Sequence, residues 1–291
     1  MYTYNRIFSN LNEPFILKKF INYDFLPKLI SSFKDYDNIY LITTYYEGKS
    51  LNYFRDQILT EKQIQFISAC IIQSLVYLRR EKIIHRDIMM KNIIMDEDKY
   101  FNIIDFSFSI NYSDKNNKKN NMITYNMVTP PEMFNNSEYD YNSDYYRLGS
   151  VIYYLIFKSY PFTIKNKNNQ TDIFINYTSI KNYSYFCIDF LNKLLVSDYK
   201  KRIGFKSINE LLNHDWFKGF NWTKLEKRKI ISPYQFIKNE YNNSFCSKFI
   251  FPFKYIIKFQ MKFKTNIYTT LIKNFDFVNS LIIKKIINTN K

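Results

Sequence analysis

The sequence predicts an α+β protein in which a small portion with β-strands precedes a larger, mostly helical portion. Two runs rich in apolar and aromatic residues lie between residues 26 and 46, separated by a polar turn. A long amphipathic helix follows from Thr60, and a second helix at 142–157 is apolar on nearly all sides. A helix of the second kind is typical of the centre of a domain, so we expect the larger portion to pack around it.

The helix that follows Thr60 has a recognisable beginning, face and end. Thr60 and Gln63 have the spacing of a capping box, in which each side chain bonds to the backbone of the other residue. Apolar residues then recur every three or four positions as far as Leu78. Arg79 and Arg80 follow, and basic residues suit a helix C-terminus because of the helix dipole.

The rest of the chain predicts one hairpin and further helices. The short apolar runs NIIMD and YFNIID are separated by EDK, so they predict a hairpin with polar groups at both of its ends. Helices are expected around 185–196 and 207–213. Beyond about residue 220 the helical period is lost while aromatic residues stay frequent, which indicates an extended tail packed over the domain surface.

The charge of the chain does not by itself indicate nucleic-acid binding. The formal net charge is +16, and a basic surface can attract nucleic acid or membranes. The lysines are spread along the chain or lie in Asn-rich runs such as DKNNKKNN and KNKNN, which are typical of solvated loops. We therefore do not expect nucleic acid as a partner.

Cysteine usage and hydropathy indicate an intracellular protein. Cys70, Cys187 and Cys246 are isolated, odd in number and without metal-ligand spacing, as expected of reduced thiols. No apolar run approaches the roughly 18 residues of a membrane span, and the N-terminal residues lack a signal-peptide core. The expectation is a cytoplasmic or nuclear protein without a membrane partner.

Residues with catalytic potential gather around the predicted hairpin. The tripeptide His-Arg-Asp at 85–87 is followed by Asn92, five residues after Asp87, and Asp105 stands eighteen residues after Asp87. Phosphoryl transfer needs a carboxylate to receive a hydroxyl proton and oxygen ligands for Mg²⁺ on the phosphates. The alternative for these residues is a polar turn between two strands.

With these spacings the chain resembles the protein kinase family, whose catalytic loop reads H-R-D-x-x-x-x-N before a metal-binding D-F-G. PPE at 130–132 resembles the family's A-P-E, and SDYYRLG resembles the D-x-W-x-x-G that opens its central helix. NHDWF, FNW and ISPYQFIKN are similar to the C-lobe end and tail of the AGC group, which includes the cyclic-nucleotide-dependent kinases. The likeness runs from about Asn10 to Ile237, and NFDF at 274–277 is a faint further match.

The resemblance implies a role for each matching polar residue. Asp87 is the implied catalytic base, Arg86 the anchor of the activation segment, and Asn92 and Asp105 the Mg²⁺ ligands. Glu13 stands where the family keeps the Glu of its αC helix, near the nucleotide. The implied cofactors are therefore ATP and Mg²⁺, and the implied partners are a protein substrate and either a regulatory subunit or a partner that completes the N-lobe.

The resemblance also implies structural residues and a division into lobes. Glu132 and Arg202 match a conserved ion pair of the family. Kinases of the family have a spine of stacked side chains, which Leu17, Leu29, His85 and Phe106 match, and a carboxylate beneath it, which Asp144 matches. The implied division is a partial N-lobe at 1–46, a hinge at 47–50, a C-lobe at 51–231 and an AGC-like tail at 232–291.

Several parts of the family pattern do not match. The family covers ATP with a Gly-rich loop and places a Lys on its third strand, about twenty residues before the αC Glu. Glu13 lies too near Met1 for either, so we expect an N-lobe truncated before αC unless Met1 is not the true start. Met89 replaces the usual catalytic-loop Lys, and Ser107 replaces the Gly of D-F-G.

Two functions remain open from the sequence. The intact set of Asp87, Asn92 and Asp105 favours an active Ser/Thr protein kinase. The missing Gly-rich loop and lysines favour a pseudokinase that acts as a binding, scaffold or regulatory protein. The residues alone do not decide between them, because function is determined by the site and not by the fold.

Overall fold

A computed structural model describes residues 12–34, 39–113, 127–135, 140–161 and 182–234, and the backbone of two strands at 255–260 and 277–278. The helices are α1 at 12–17, α2 (Glu61–Arg80), α3 (Tyr141–Phe157), α4 (Tyr185–Leu194), α5 (Asn209–Leu212) and α6 (Trp222–Glu226). The strands are β1 (Leu29–Lys34), β2 (Ile39–Thr44), β3 (Ile83–Ile84), β4 (Ile93–Met95), β5 (Phe101–Ile103), β6 (Ile110–Asn111), β7 (Tyr255–Gln260) and β8 (Phe277–Val278). Helix and sheet are mixed as the sequence predicted, with most of the helices after residue 60.

Helix α2 begins as the capping-box pattern predicted. The Gln63 backbone N–H donates to the Thr60 hydroxyl (3.3 Å), and the Thr60 backbone N–H donates to the Gln63 side-chain oxygen (2.9 Å). Two of the backbone donors that a helix N-terminus leaves without partners are thereby satisfied. The predicted helix is confirmed from its first residue.

Removing this cap is expected to destabilise the protein by about 1 kcal/mol, a typical cost of replacing a Thr N-cap by Ala. Thr60→Ala takes away the acceptor for Gln63, whereas Thr60→Ser keeps a hydroxyl at the same place. Urea unfolding followed by far-UV circular dichroism measures both variants. Equal stability of the two would contradict an energetic role for the cap.

Helix α3 is the buried central helix that the sequence predicted. It packs against α2 and α4, and a glycine makes the second contact possible. A Cβ atom on Gly149 would lie 2.9 Å from Cβ of Leu194 and 3.1 Å from a methyl group of Leu195. Any larger residue at 149 would therefore push α3 and α4 apart. Within the described residues, none of the helices is long and apolar enough to cross a membrane.

A four-stranded antiparallel sheet in the order β7-β2-β1-β8 contains both predicted N-terminal strands. The sequence predicted β1 and β2 but not their outer neighbours, which come from the far end of the chain. Strand β7 pairs with the whole of β2, and β8 pairs with β1 at Ser31 and Ser32. Two-stranded hairpins are marginal in water, so these outer strands stabilise the β1–β2 pair.

Two small antiparallel pairs carry the loops of the site. The predicted hairpin is confirmed as β4 and β5, with Ile93 opposite Ile103. Strands β3 and β6 form the second pair, with Ile84 opposite Ile110. Residues 85–92 follow β3 and residues 104–109 follow β5, so the two pairs hold both loops side by side.

Candidate active site

Asp87 and Asn92 lie together in the loop after β3. The Asn92 side-chain nitrogen donates to the Asp87 carboxylate (2.8 Å) and to the Asp87 backbone carbonyl (2.9 Å). Both side chains are buried, so these bonds fix their relative position. Because the amide nitrogen makes both bonds, the amide oxygen is the Asn92 atom suited to bind a cation.

A buried carboxylate from α3 supports this loop from below. The two oxygens of Asp144 accept the backbone N–H groups of His85 (2.7 Å) and Arg86 (2.9 Å). Burial raises the pKa of Asp144, while these two N–H donors favour its charged form. The contact holds Arg86 in the left-handed backbone conformation (φ 67°), which is costly for a residue with a side chain. The place expected of Asp144, beneath the loop, is where the structure has it.

His85 is a packed structural residue at this position. Its Nδ1 accepts the backbone N–H of Asp87 (3.2 Å), and its Nε2 lies 3.2 Å from the carbonyl of Ile104. These contacts match a neutral ring with its proton on Nε2, and burial lowers the pKa of His85 in the same direction. The ring packs edge-on against Phe106 at 4.7 Å. His85 thus connects the two loops.

Asp105 is brought beside the first loop by backbone bonds. The N–H of Ile104 donates to the Asn92 carbonyl (2.8 Å), which places the next residue, Asp105, close to Asn92. Asp105 itself has a left-handed backbone (φ 66°), and its carboxylate accepts the hydroxyl of Ser107 (2.7 Å). Ser107, where the family has Gly, therefore contacts the proposed metal ligand directly.

Glu13 from α1 reaches the same loop. Its buried carboxylate accepts the backbone N–H of Phe106 at 3.2 Å. The Phe106 ring also packs against Phe20, with 4.8 Å between the ring centres. Helix α1 and the turn that follows it are therefore linked to the Asp-Phe loop by one polar and one aromatic contact.

Arg86 contacts the segment that follows Asp105. Its Nε donates to the carbonyl of Phe108, and the Ser109 hydroxyl donates to the carbonyl of His85 (3.3 Å). These contacts tie the start of the predicted activation segment to the catalytic loop. The continuation of that segment at 114–126 lies outside the described residues.

The predicted ion pair of Glu132 and Arg202 is confirmed. Two nitrogens of the guanidinium donate to the two carboxylate oxygens, each at 2.8 Å. The Ser143 hydroxyl donates to the same carboxylate, and the guanidinium lies over the Tyr146 ring at 4.8 Å. The pair attaches the P-P-E segment to the loop that follows α4, and the Ser143 contact attaches it to the N-terminal end of α3.

A small cavity opens beside Glu13 and Asp105. It encloses about 160 Å³, and its lining includes Leu41 and Thr43 of β2 and the half-buried Tyr46. Ligand pockets usually enclose about 300–1,000 Å³. The cavity formed by the described residues is therefore smaller than a typical ligand pocket.

The sequence predicted Lys91 at the substrate groove but not beside Asp87, and it predicted no contact for Arg228. Lys91 lies 4.0 Å from the Asp87 carboxylate, so a cation stands next to the proposed base although Met89 occupies the usual Lys position. Arg228 donates to the Asp96 carboxylate and to the Asn102 side chain (2.9 Å), which attaches the chain after α6 to the β4–β5 hairpin. The i, i+4 spacing of Asp87 and Lys91 was the available signal for the first. Arg228 lies in a basic run of the sequence, and nothing in that run indicated a contact with the β4–β5 hairpin.

The donors present fit a Mg²⁺ site of the kind that also needs phosphate oxygens. Among the described residues, no three His, Cys, Asp or Glu side chains are grouped closely enough to hold a metal ion. Mg²⁺ typically binds one or two carboxylates together with substrate phosphates. Asp105 and the amide oxygen of Asn92 match that chemistry.

Comparison with known proteins agrees with this geometry. The protein kinase domain family matches residues 6–217. The chain belongs to the protein kinase family. Members of this family generally use ATP and Mg²⁺ and act on proteins.

Its curated relatives include Ser/Thr kinases of the AGC group. The Ser/Thr protein kinase Sgk1 of Fundulus heteroclitus is 29% identical over 229 residues, which cover 77% of this chain and 53% of the relative. Sgk1 of Danio rerio is 28% identical over the same shares. A probable Ser/Thr protein kinase of Dictyostelium discoideum is 27% identical over 232 residues, 78% of this chain and 51% of the relative. The chain spans about half the length of these relatives.

Proposed function

We propose that this chain is a Ser/Thr protein kinase that transfers the γ-phosphate of ATP to protein hydroxyl groups. The observation that carries the proposal is the pairing of Asp87 with Asn92, joined to Asp105 by the Ile104–Asn92 backbone bond. The arrangement unites a carboxylate base with two oxygen ligands for a cation. Positioning of this kind supplies most of the catalysis in phosphoryl transfer.

Each proposed role follows from a contact. Asp87 receives the proton of the substrate hydroxyl, and Asn92 holds its carboxylate in place. Asn92 and Asp105 are the ligands for Mg²⁺, which when bound neutralises charge on the phosphates. Lys91, 4.0 Å from Asp87, is suited to stabilise negative charge near the transferred group.

The same proposal includes the division into lobes and the cellular setting. We assign a partial N-lobe to 1–46, a hinge to 47–50, a C-lobe to 51–231 and a tail to 232–291. The buried contact of Glu13 with Phe106 supports αC for the start of the chain. Buried, free Cys70 and Cys187 support a reducing compartment, cytoplasm or nucleus.

The proposal is tested by incubating the chain with Mg²⁺, γ-labelled ATP and a mixture of unrelated proteins, followed by acid hydrolysis of the products. We expect weak Mg-ATP binding and slow formation of phosphoserine and phosphothreonine, because a Gly-rich loop and the Lys at position 89 are missing. Formation of phosphotyrosine alone, or binding of Mg-ATP without any transfer, would contradict a Ser/Thr kinase.

No preference for Arg-rich substrates is expected. AGC relatives select Arg before the target hydroxyl with acidic residues, and the matching positions here are Ser50, Lys91 and Tyr154. Lys91 is half exposed, and like charges across an interface are unfavourable. A peptide array with Arg or Ala at each position before the phosphosite measures this. Strong selection for Arg two or three residues before the target would show the prediction to be wrong.

A further inference from the structure

Ser107 stands where the protein kinase family has the Gly of D-F-G, and its side chain makes a bond that glycine cannot make. The Ser107 hydroxyl donates to one oxygen of the Asp105 carboxylate (2.7 Å), and the Ser107 backbone N–H donates to the same oxygen (3.4 Å). An ionised carboxylate only accepts hydrogen bonds, so the hydroxyl must be the donor. Ser107 is 6% exposed, which limits competition from water for this bond.

Backbone bonds on both sides of Asp105 hold the loop itself. The N–H of Ile104 donates to a carbonyl of the catalytic loop (2.8 Å), and the N–H of Phe106 donates to the Glu13 carboxylate (3.2 Å). Neither bond restricts rotation of the Asp105 carboxylate about its own side-chain torsions. The bond from the Ser107 hydroxyl does restrict it, because such a rotation would break the bond.

The backbone at residue 107 does not require a glycine. Asp105 lies in the left-handed region (φ 66°), whereas Ser107 is not among the residues with a positive φ. A side chain at 107 therefore meets none of the steric cost of the left-handed region. The serine adds a contact to the loop without straining it.

We propose that Ser107 is a positioning residue that holds the Asp105 carboxylate in the orientation in which it binds Mg²⁺. The proposal rests on the proposed kinase function, in which Asp105 and Asn92 are the metal ligands. Mg²⁺ demands near-octahedral geometry, and this pair contains one carboxylate, so the orientation of that group matters. Hydrogen-bond partners that orient a metal ligand are typically worth about ten- to a hundredfold in metal affinity.

The test measures ATP affinity by equilibrium titration of the full-length chain at a series of Mg²⁺ concentrations, with adenosine as a ligand that needs no metal. Ser107→Ala removes the hydroxyl and keeps Cβ. We expect the Mg²⁺ concentration for half-maximal ATP binding to rise about ten- to a hundredfold, while adenosine affinity stays unchanged. Ser107→Thr keeps a hydroxyl and should stay within a few-fold of the wild type.

Two further variants separate the hydroxyl from other effects of the substitution. Ser107→Gly creates the family's D-F-G and should need as much Mg²⁺ as Ser107→Ala, because neither has a hydroxyl. A glycine variant that behaves like the wild type would overturn the proposal. Ser68→Ala is the matched control, since Ser68 is fully buried and its hydroxyl donates to the Ile64 carbonyl within α2 (2.8 Å). Its Mg²⁺ requirement should equal that of the wild type, and an equal rise there would also overturn the proposal.

The outcomes distinguish the role of Ser107 from the kinase function itself. An unchanged Mg²⁺ requirement in Ser107→Ala, or an equal loss of adenosine affinity, would overturn the role of Ser107 alone. A wild type that binds Mg-ATP but transfers no phosphate would contradict the kinase function, while the binding results still decide the role of Ser107. A wild type whose ATP affinity does not respond to Mg²⁺ would overturn both.

Discussion

Arg202→Ala is expected to lower the free energy of unfolding by about 3–5 kcal/mol, because removing one partner of a buried ion pair leaves the other charge without compensation. The side chains of Arg202 and Glu132 are 0% and 5% exposed, and their two bonds are both 2.8 Å long. The guanidinium also donates to the carbonyls of Asn142 (2.8 Å) and Val196 (3.0 Å). These acceptors lose their donor in the same variant.

The preceding residue provides a matched control. Lys201 is 79% exposed and lies 3.8 Å from Asp198, so Lys201→Ala should cost no more than about 1 kcal/mol, as surface ion pairs do. Urea unfolding of both variants, monitored by tryptophan fluorescence, gives the comparison. If Arg202→Ala is no more destabilised than Lys201→Ala, the pair has no structural role. The double variant Glu132→Leu/Arg202→Met should recover part of the loss, since no buried charge then remains.

Local patterns in the sequence were sufficient for the longer helices after residue 60 and for the β4–β5 hairpin, whereas the short helix α6 lies where an extended tail was expected. The capping box at Thr60 and the Glu-Asp-Lys turn each act over a few residues, so short windows contain the necessary information. The sheet order could not be predicted in this way. The pairing of β7 with β2 joins residues more than two hundred positions apart, and the hydrophobic run at 255–260 does not specify which edge it joins.

The residues of the candidate site likewise fall into those that local spacing predicts and those that depend on the tertiary structure. The residues of the HRD and DF motifs were found because their spacing reflects bonds within one loop pair, such as that from Asn92 to Asp87. The approach of Lys91 to Asp87 was not predicted, although the i, i+4 spacing allows it, because it depends on the 3-10 turn at Met90–Asn92, which the sequence did not predict. Arg228 donates to the carboxylate of Asp96, 132 positions away in the chain. A basic run in the sequence does not show which acidic residue such an Arg will contact.

Asp87→Asn is expected to reduce phosphotransfer by about 10²–10⁴-fold, the usual contribution of a general base. The substitution keeps the size of the side chain and removes the charge of the proposed catalytic base. Asp56→Asn is the matched control, because that carboxylate is 87% exposed and lies outside the site. Initial rates at saturating Mg-ATP measure both variants, and only the first should lose activity.

Measurements of Mg-ATP affinity distinguish the proposed base from the proposed metal ligands. Asp87→Asn should leave Mg-ATP affinity within a few-fold of the wild type, because a base acts on the substrate hydroxyl and not on the nucleotide. Asp105→Asn removes the charge of the proposed Mg²⁺ ligand, so it should weaken Mg-ATP binding and abolish transfer together. Transfer that survives Asp87→Asn would exclude Asp87 as the base. Loss of transfer in Asp56→Asn as well would show that the loss in Asp87→Asn is not specific to the proposed base.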